Sequence, residues 1–436
     1  MTRVFLYVSI TIFSLTQQEI VKPLQKLSGA PNDNLTQDRT WTNLAIRRMW
    51  KERKDMSHTP IFKFNYIGQK HVDIVFKNES ASRSGSLKHR YAWALLMWAL
   101  VEGHVKNGTH VYEASSGNTA ASLAYMCRLL NIDFTAIVPD TIEAIKVKHI
   151  EDYGGKVVKV PIGERLVRAR QLAAENGGFF MNQFGNADKA EEFHESGDSL
   201  QESTNLIHEF LVQLNTDENQ EVKVPHYFVH AAGTGGTISS IGRYTKKYGI
   251  NIEIVLADTQ FSVYYDYVMY GRFKNESGAG LWVEPGMAGI GYGPMGMARK
   301  GETTSMNPAV IDRVVKIPDL AATAAMRVLR DQELPMKSTS HVIPLMHRSN
   351  ILISNIITLY YRRPLKSRLT IATLLADPGR NYDATYYNRD WIRQKFSHHG
   401  GIEAYDCWYS VISDSLSSGD DPLSVGYQLC PAGILS

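Results

Sequence analysis

The sequence predicts an α/β fold of two open, twisted sheet domains flanked by helices, and three observations lead there. From about residue 57, short strand-like apolar runs alternate with amphipathic helix-like stretches. The units come in two series joined across Asn182 to Val222, which implies two sheets with a cleft between them. Each series carries a turn of small residues between a strand and a helix, the place where α/β proteins hold ligands.

In chain order, His110 to Glu113 reads as a strand and Thr119 to Leu130 as a helix with one apolar side. Phe134 to Val138 is then a buried strand, and Thr141 to Tyr153 a helix stopped by Gly154-Gly155. Lys156 to Val160 gives the next strand, and Glu164 to Asn176 the next helix, closed by Gly177-Gly178. The second series begins near Val222 with the strand His226 to Ala231, a glycine turn, and a helix from Ile238 to Tyr248. Ile252 to Ala257 follows as a central strand, and Leu369 to Thr373 as the last one. The expected organisation is an N-terminal extension over 1–56 and a smaller, mobile domain over 82–186. A larger domain takes 57–81 with 187–400, and a C-terminal tail takes 401–436.

The bulk numbers exclude several function classes. A chain of 436 residues buries a large core. Its 47 basic and 44 acidic residues give a net charge of only +3, so neither nucleic acid nor an acidic membrane is an expected partner. Cys127, Cys407 and Cys430 are too few and too scattered for a disulfide framework or a metal knuckle, and they favour a reducing, cytoplasmic setting. Cys127 falls within a helix and reads as a small buried apolar residue. The apolar run Val4 to Leu15 behind Arg3 has the length of a signal-peptide core, which keeps a membrane tether or a mitochondrial location as minority readings.

Four local signals carry chemistry. Lys88 lies in Ser84-Gly85-Ser86-Leu87-Lys88-His89-Arg90, a small-residue turn running into an apolar helix. Lysines at helix starts are mostly solvated, but one that points into a cleft can hold an aldehyde cofactor as a Schiff base. Gly233-Thr234-Gly235-Gly236-Thr237, between a strand and a helix, lets backbone N–H groups converge on an anion. It lacks the lysine of a triphosphate loop and suits one phosphate monoester. Ser115-Ser116-Gly117-Asn118-Thr119 has the same context, with more polar residues than a helix cap needs. His194 and His208 have no ligand-spaced partners, His398-His399 reads as a loop, and Asp258 as a strand-end carboxylate, so no metal is expected.

Taken together and in order, these motifs resemble the fold type II pyridoxal-phosphate enzymes, the tryptophan synthase β-like architecture, and within it the cysteine synthase and cystathionine β-synthase family. Thr59-Pro60, the Lys88 motif, Ser115 to Thr119, Asn182-Gln183-Phe184, Gly233 to Thr237 and Pro285 to Pro294 carry the resemblance, which spans about 57 to 395. It implies that pyridoxal 5′-phosphate is the cofactor, that Lys88 bonds to it, and that Asn118 hydrogen-bonds its 3′-oxygen. Gly233, Thr234, Gly235, Gly236 and Thr237 would hold its phosphate. Ser115, Ser116, Thr119 and Gln183 would bind the substrate carboxylate, and Ser338, with Thr339 second, would face the pyridine nitrogen. The chain departs from the family at Leu334 to Lys337, where a glycine-rich approach to that serine is usual, and through 341–363.

With Lys88 as general base and a neutral hydroxyl at the ring nitrogen, loss of a leaving group from Cβ is expected over transamination. The Lys88 motif and the segment Asp377 to Trp391 are most similar to the cysteine desulfhydrases. The expected reaction is therefore β-elimination from L-cysteine, giving hydrogen sulfide, pyruvate and ammonia. A β-replacement making cysteine or cyanoalanine is the alternative, and a catalytically impaired binding relative is a third. Heme is not expected, since no cysteine precedes Cys127. A homodimer acting on a small amino acid is the implied assembly.

Overall fold

The computed structural model describes residues 33–65, 71–115, 117–191, 205–273, 287, 289–292, 304–333 and 368–430. Its strands are β1 (Ile61–Asn65), β2 (Val72–Asn78), β3 (Val111–Ala114), β4 (Phe134–Pro139), β5 (Lys156–Val160), β6 (Phe179–Phe180), β7 (Tyr227–His230), β8 (Glu253–Thr259), β9 (Arg313–Ile317) and β10 (Leu369–Leu375). They form a six-stranded sheet in the order β1-β2-β10-β7-β8-β9 and a four-stranded sheet in the order β5-β4-β3-β6. All neighbours are parallel except β1, which runs antiparallel to β2. Every strand expected from the sequence is present within a residue or two.

Parallel strands covered on both faces bury every side chain, and this dictates their composition. β10, Leu-Thr-Ile-Ala-Thr-Leu-Leu, is buried throughout, with Ile371 in register with Ile74 on one side and Tyr227 on the other. β2 is also buried throughout although it contains Asp73 and Lys77. Both charges are paired: Arg368 Nε donates to Asp73 at 2.7 Å, and Lys77 Nζ to Glu209 at 2.6 Å. Buried charges persist only with such partners.

The helices that matter for the site are α1 (Asp33–Asp55), α2 (Lys88–Val101), α3 (Asn118–Leu130), α4 (Gly236–Lys247), α5 (Asp319–Glu333), α6 (Gly401–Ser418) and α7 (Pro422–Leu429). From Tyr91 onward α2 is apolar around its whole circumference, and His89 to Leu100 are all buried. A helix of that pattern must be covered on all sides. Its cover includes α1 and α3: Trp93 Nε1 donates to the Met49 carbonyl at 2.7 Å, and Trp50 meets Trp93 edge to face at 5.4 Å. Met49 and Trp93 are fully buried, each contributing roughly 1.5–3 kcal/mol or more by area.

α1 was read in the sequence as part of an extension. Its buried residues are Ala45, Met49, Glu52 and Arg53, on one face, with Trp41, Ile46 and Trp50 packed beside them. The helix expected over Thr141 to Tyr153 starts later, at Ala144, because the Ile142 N–H donates to the Pro139 carbonyl at 3.1 Å and makes a turn first.

The cysteine expectation is corrected. Cys407 in α6 and Cys430 after α7 form a disulfide that joins the two helices. Both helices pack into the core beside α5, with Tyr405, Trp408, Ile412 and Leu423 buried, so the two sulfurs meet despite a separation of 23 residues. Cys127 is a buried free thiol. No helix among the described residues is long and apolar enough to cross a membrane, and the run Val4 to Leu15 lies outside them.

Candidate active site

Three strand ends converge. β7 runs into Gly233 to Gly235, β10 into Ala376 and Asp377, and β3 into Ser115 to Asn118. Between them lies a cleft of about 660 Å³, lined among others by Lys88, Asn118, His230, Gly233, Thr234, Gly235, Thr237, Gly289 and Ala376. Carboxyl ends of parallel strands are the usual ligand position in such sheets.

Lys88 is half-buried as the first residue of α2. The turn before it is tied down: Gly85 has φ +75°, the Ser82 hydroxyl donates to the Ser86 carbonyl at 2.7 Å, and the Leu87 N–H donates to the Ala376 carbonyl at 2.8 Å. Lys88 Nζ lies 5.4 Å from the centre of the Tyr91 ring. Two residues on, Arg90 is buried in an ionic cluster. Its guanidinium donates to Glu79 at 2.7 Å and to Glu209 at 2.6 Å, and Thr59 donates to Glu79 at 2.6 Å. Burial alone would raise the Glu209 carboxyl, but the charges and hydrogen bonds of Arg90 and then Lys77 hold it at about 2. Removing one member of such a cluster leaves a buried charge, so the start of α2 is held firmly.

The glycine loop is shaped by contact. A Cβ on Gly233 would stand 2.6 Å from the Gly289 carbonyl oxygen, and one on Gly235, at φ +84°, 2.5 Å from the Met306 nitrogen. The Tyr264 hydroxyl donates to the Gly233 carbonyl at 2.8 Å, and the Ser305 N–H to the Thr234 carbonyl at 2.9 Å. With its carbonyls engaged from behind, the loop leads into the N-terminus of α4, whose first amides and partial positive charge favour an anion.

Asn118 begins α3, and its Nδ2 donates to Asp377 Oδ2 at 2.7 Å. The Tyr382 hydroxyl donates to the same oxygen at 2.8 Å. Ser115 follows β3, Thr119 lies in the first turn of α3 and Gln183 follows β6, and none of the three lines the cleft. Gln183 Nε2 donates to the Ala114 carbonyl at 3.1 Å, and its backbone N–H to Glu113 Oε2 at 2.9 Å. Glu113 is fully buried, and burial, only partly offset by that bond, pushes its carboxyl up to about 8. Asn182, beside Gln183, has φ +50°, a conformation asparagine tolerates better than most residues.

Gly236 lines a second cavity of about 540 Å³, which Lys88, Arg90, Tyr91, Thr234 and Thr237 also reach. Ser116, His194, Ser338 and Thr339 lie outside the described residues, as does most of Pro285 to Pro294. Asp258 is buried at the end of β8 and does not line the cleft, and no group of three or more metal-ligating residues occurs among the described residues. Asp377, Tyr382 and His230 were not singled out for the cleft from the sequence. The signals for Asp377 and Tyr382 are their place just beyond β10 and in the segment similar to the cysteine desulfhydrases.

The arrangement offers an amine, a cradle for a phosphate and an amide donor around one space. Residues 53–342 match the family described as pyridoxal-phosphate dependent enzyme. A Caenorhabditis elegans protein named as a candidate pyridoxal-phosphate dependent protein is 46% identical over 428 residues, covering 96% of this chain and 97% of that one. The L-cysteine desulfhydrase Cds1 of Mycobacterium tuberculosis is 29% identical over 363 residues, 81% of this chain and 90% of its own. The crystal structure of O-ureido-L-serine synthase shares the fold at a TM-score of 0.58 and 21% identity, over 77% of this chain and 93% of that one.

Proposed function

The chain belongs to the family of pyridoxal-phosphate dependent enzymes, and from that premise we propose that it catalyses β-elimination from L-cysteine, giving hydrogen sulfide, pyruvate and ammonia. The observation that carries the reading is that Lys88 lines one cleft together with Gly233, Thr234, Gly235 and Thr237. The likeness to a desulfhydrase over 81% of the chain supports cysteine as the substrate. One molecule of water is consumed for each cysteine, and the products balance.

The residues fit the cofactor. The close approaches at Gly233 and Gly235 leave no room for a side chain, and the loop's carbonyls are turned to Tyr264, Ser305 and Thr304, which suits a phosphate meeting N–H groups and the Thr234 and Thr237 hydroxyls. When bound, the cofactor supplies a covalent handle for the amino group and a sink for the electron pair left at Cα.

In this reading Lys88 Nζ holds the cofactor and then moves the Cα proton as general base. Its position at the first turn of α2, with the preceding residue bonded to Ala376, keeps Lys88 at the edge of the cleft. Asn118 meets the cofactor's 3′-oxygen, and Ser338 its ring nitrogen. Ser115, Ser116, Thr119 and Gln183 take the substrate carboxylate. For Ser115, Thr119 and Gln183, all buried, this requires the segment 82–186 to shift on substrate binding, as a mobile domain against 57–81 and 187–400. A homodimer is the proposed assembly.

β-Replacement is a second reading, favoured by the second cavity that Lys88 also lines, beside Tyr91 and Thr237. The two separate on one comparison: L-cysteine with and without a second thiol or cyanide. Elimination is supported by sulfide and pyruvate from cysteine alone. Sulfide that forms only with the added nucleophile, and without pyruvate, defeats it.

A further inference from the structure

We infer that Asp377 is a positioning residue: it fixes the orientation of the Asn118 amide and so presents an N–H donor, not a carbonyl, to the cofactor. The inference rests on the cofactor site proposed above, and on cofactor binding alone, not on the reaction.

Asn118 and Asp377 are 259 residues apart, at the start of α3 and just beyond the end of β10, so their contact joins the two sheets. Asp377 is 1% exposed. Its Oδ2 accepts from Asn118 Nδ2 at 2.7 Å and from the Tyr382 hydroxyl at 2.8 Å. A side-chain amide has one face that donates and one that accepts, and turning it over exchanges them. Turned over here, the Asn118 carbonyl would face a carboxylate oxygen at hydrogen-bond distance, two acceptors with no proton between them. The carboxylate therefore selects one of the two orientations.

That choice matters on the other side of the amide. With one Nδ2 hydrogen given to Asp377, the second is the remaining donor of a residue that lines the cleft. An anionic oxygen on a bound ring is matched by a donor and repelled by a carbonyl. Tyr382 acts one step further out. Its ring stacks on Tyr386 at 5.4 Å, and its hydroxyl holds the carboxylate that holds the amide.

The test compares Asp377→Asn, Tyr382→Phe, Asn118→Ala and the double variant Asp377→Asn/Asn118→Ala with the parent. Each apoprotein is titrated with pyridoxal phosphate, and the absorption band of the bound cofactor and the melting temperature are recorded. Asp377→Asn keeps the volume but can face Asn118 with either end of an amide. It should weaken cofactor binding about tenfold or more, the scale of a charge-assisted hydrogen bond, and move the band. Tyr382→Phe should act in the same direction and less. The double variant should bind no worse than Asn118→Ala.

The inference is overturned by an Asp377→Asn protein with parental affinity and band. Losses that add in full in the double variant, or a lowered melting point with unchanged band, also overturn it by showing that Asp377 acts independently of Asn118. A parent protein that binds the cofactor but releases no sulfide from cysteine would fail the elimination reading and leave these comparisons intact.

Discussion

The backbone N–H of Leu87 donates to the carbonyl of Ala376 at 2.8 Å, so the residue before Lys88 is bonded to the end of β10. Lys88 therefore sits on the helix that fills the core around the four-stranded sheet, while its turn is anchored to the six-stranded one. Asn118 is anchored across the same gap through Asp377. An amine and an amide that line one cleft are thus held by the same strand end.

Gly235→Ala should cost both stability and cofactor affinity. The residue has φ +84°, and a Cβ would stand 2.5 Å from the Met306 nitrogen and 2.6 Å from its Cα, backbone atoms that cannot turn aside. A non-glycine residue in a sparsely populated backbone region costs about 1–3 kcal/mol before any clash. Thermal melting with and without pyridoxal phosphate checks this: a lower melting point and a smaller rise on adding cofactor are expected.

Glu113 should make the protein less stable as pH rises. Its folded value, pushed up to about 8 by burial, lies above the unfolded value near 4.5, so the folded state binds more protons between them. Stability is then fully present below about pH 4.5 and falls as pH rises toward about 8. Denaturant unfolding from pH 5 to 9 should show this decline, and Glu113→Gln, a neutral isostere, should flatten it. An unchanged slope in the variant would mean the carboxyl is ionised in the fold.

Reducing the Cys407–Cys430 bond should loosen α7. The bridge closes a loop with a separation of 23 residues, which in the chain-entropy account is worth about 3 kcal/mol. Cys430→Ser should lower the melting point and raise amide exchange in α7 and the adjoining turn of α6, while the cleft, which neither helix lines, keeps its cofactor affinity. Mass measurement before and after thiol alkylation establishes the bond itself.

The sheets were legible because buried parallel strands have no choice of composition: β4, β7 and β10 are apolar runs bounded by turns. The glycine loop and the Lys88 turn were legible because close backbone approach and a helix N-terminus demand small residues there. What escaped has no local signature. The Asn118–Asp377 bond joins residues 259 apart, and Asp377 looks like any strand-end carboxylate until the fold brings the partner. α1 buries Ala45 and Met49 but continues the same face with the charged Glu52 and Arg53, so its apolar periodicity breaks off. Two cysteines 23 residues apart show no framework pattern, and only the packing of α7 on α6 brings them together.

The most direct test of the central claim follows sulfide and pyruvate together when the purified protein, loaded with pyridoxal phosphate, is given L-cysteine alone, with Lys88→Ala treated in parallel. Equal amounts of the two products are predicted from the parent, with a rate lower by about 10²–10⁴-fold or more in Lys88→Ala. A loaded parent that releases neither product, or a Lys88→Ala protein that keeps the parental rate, would contradict it.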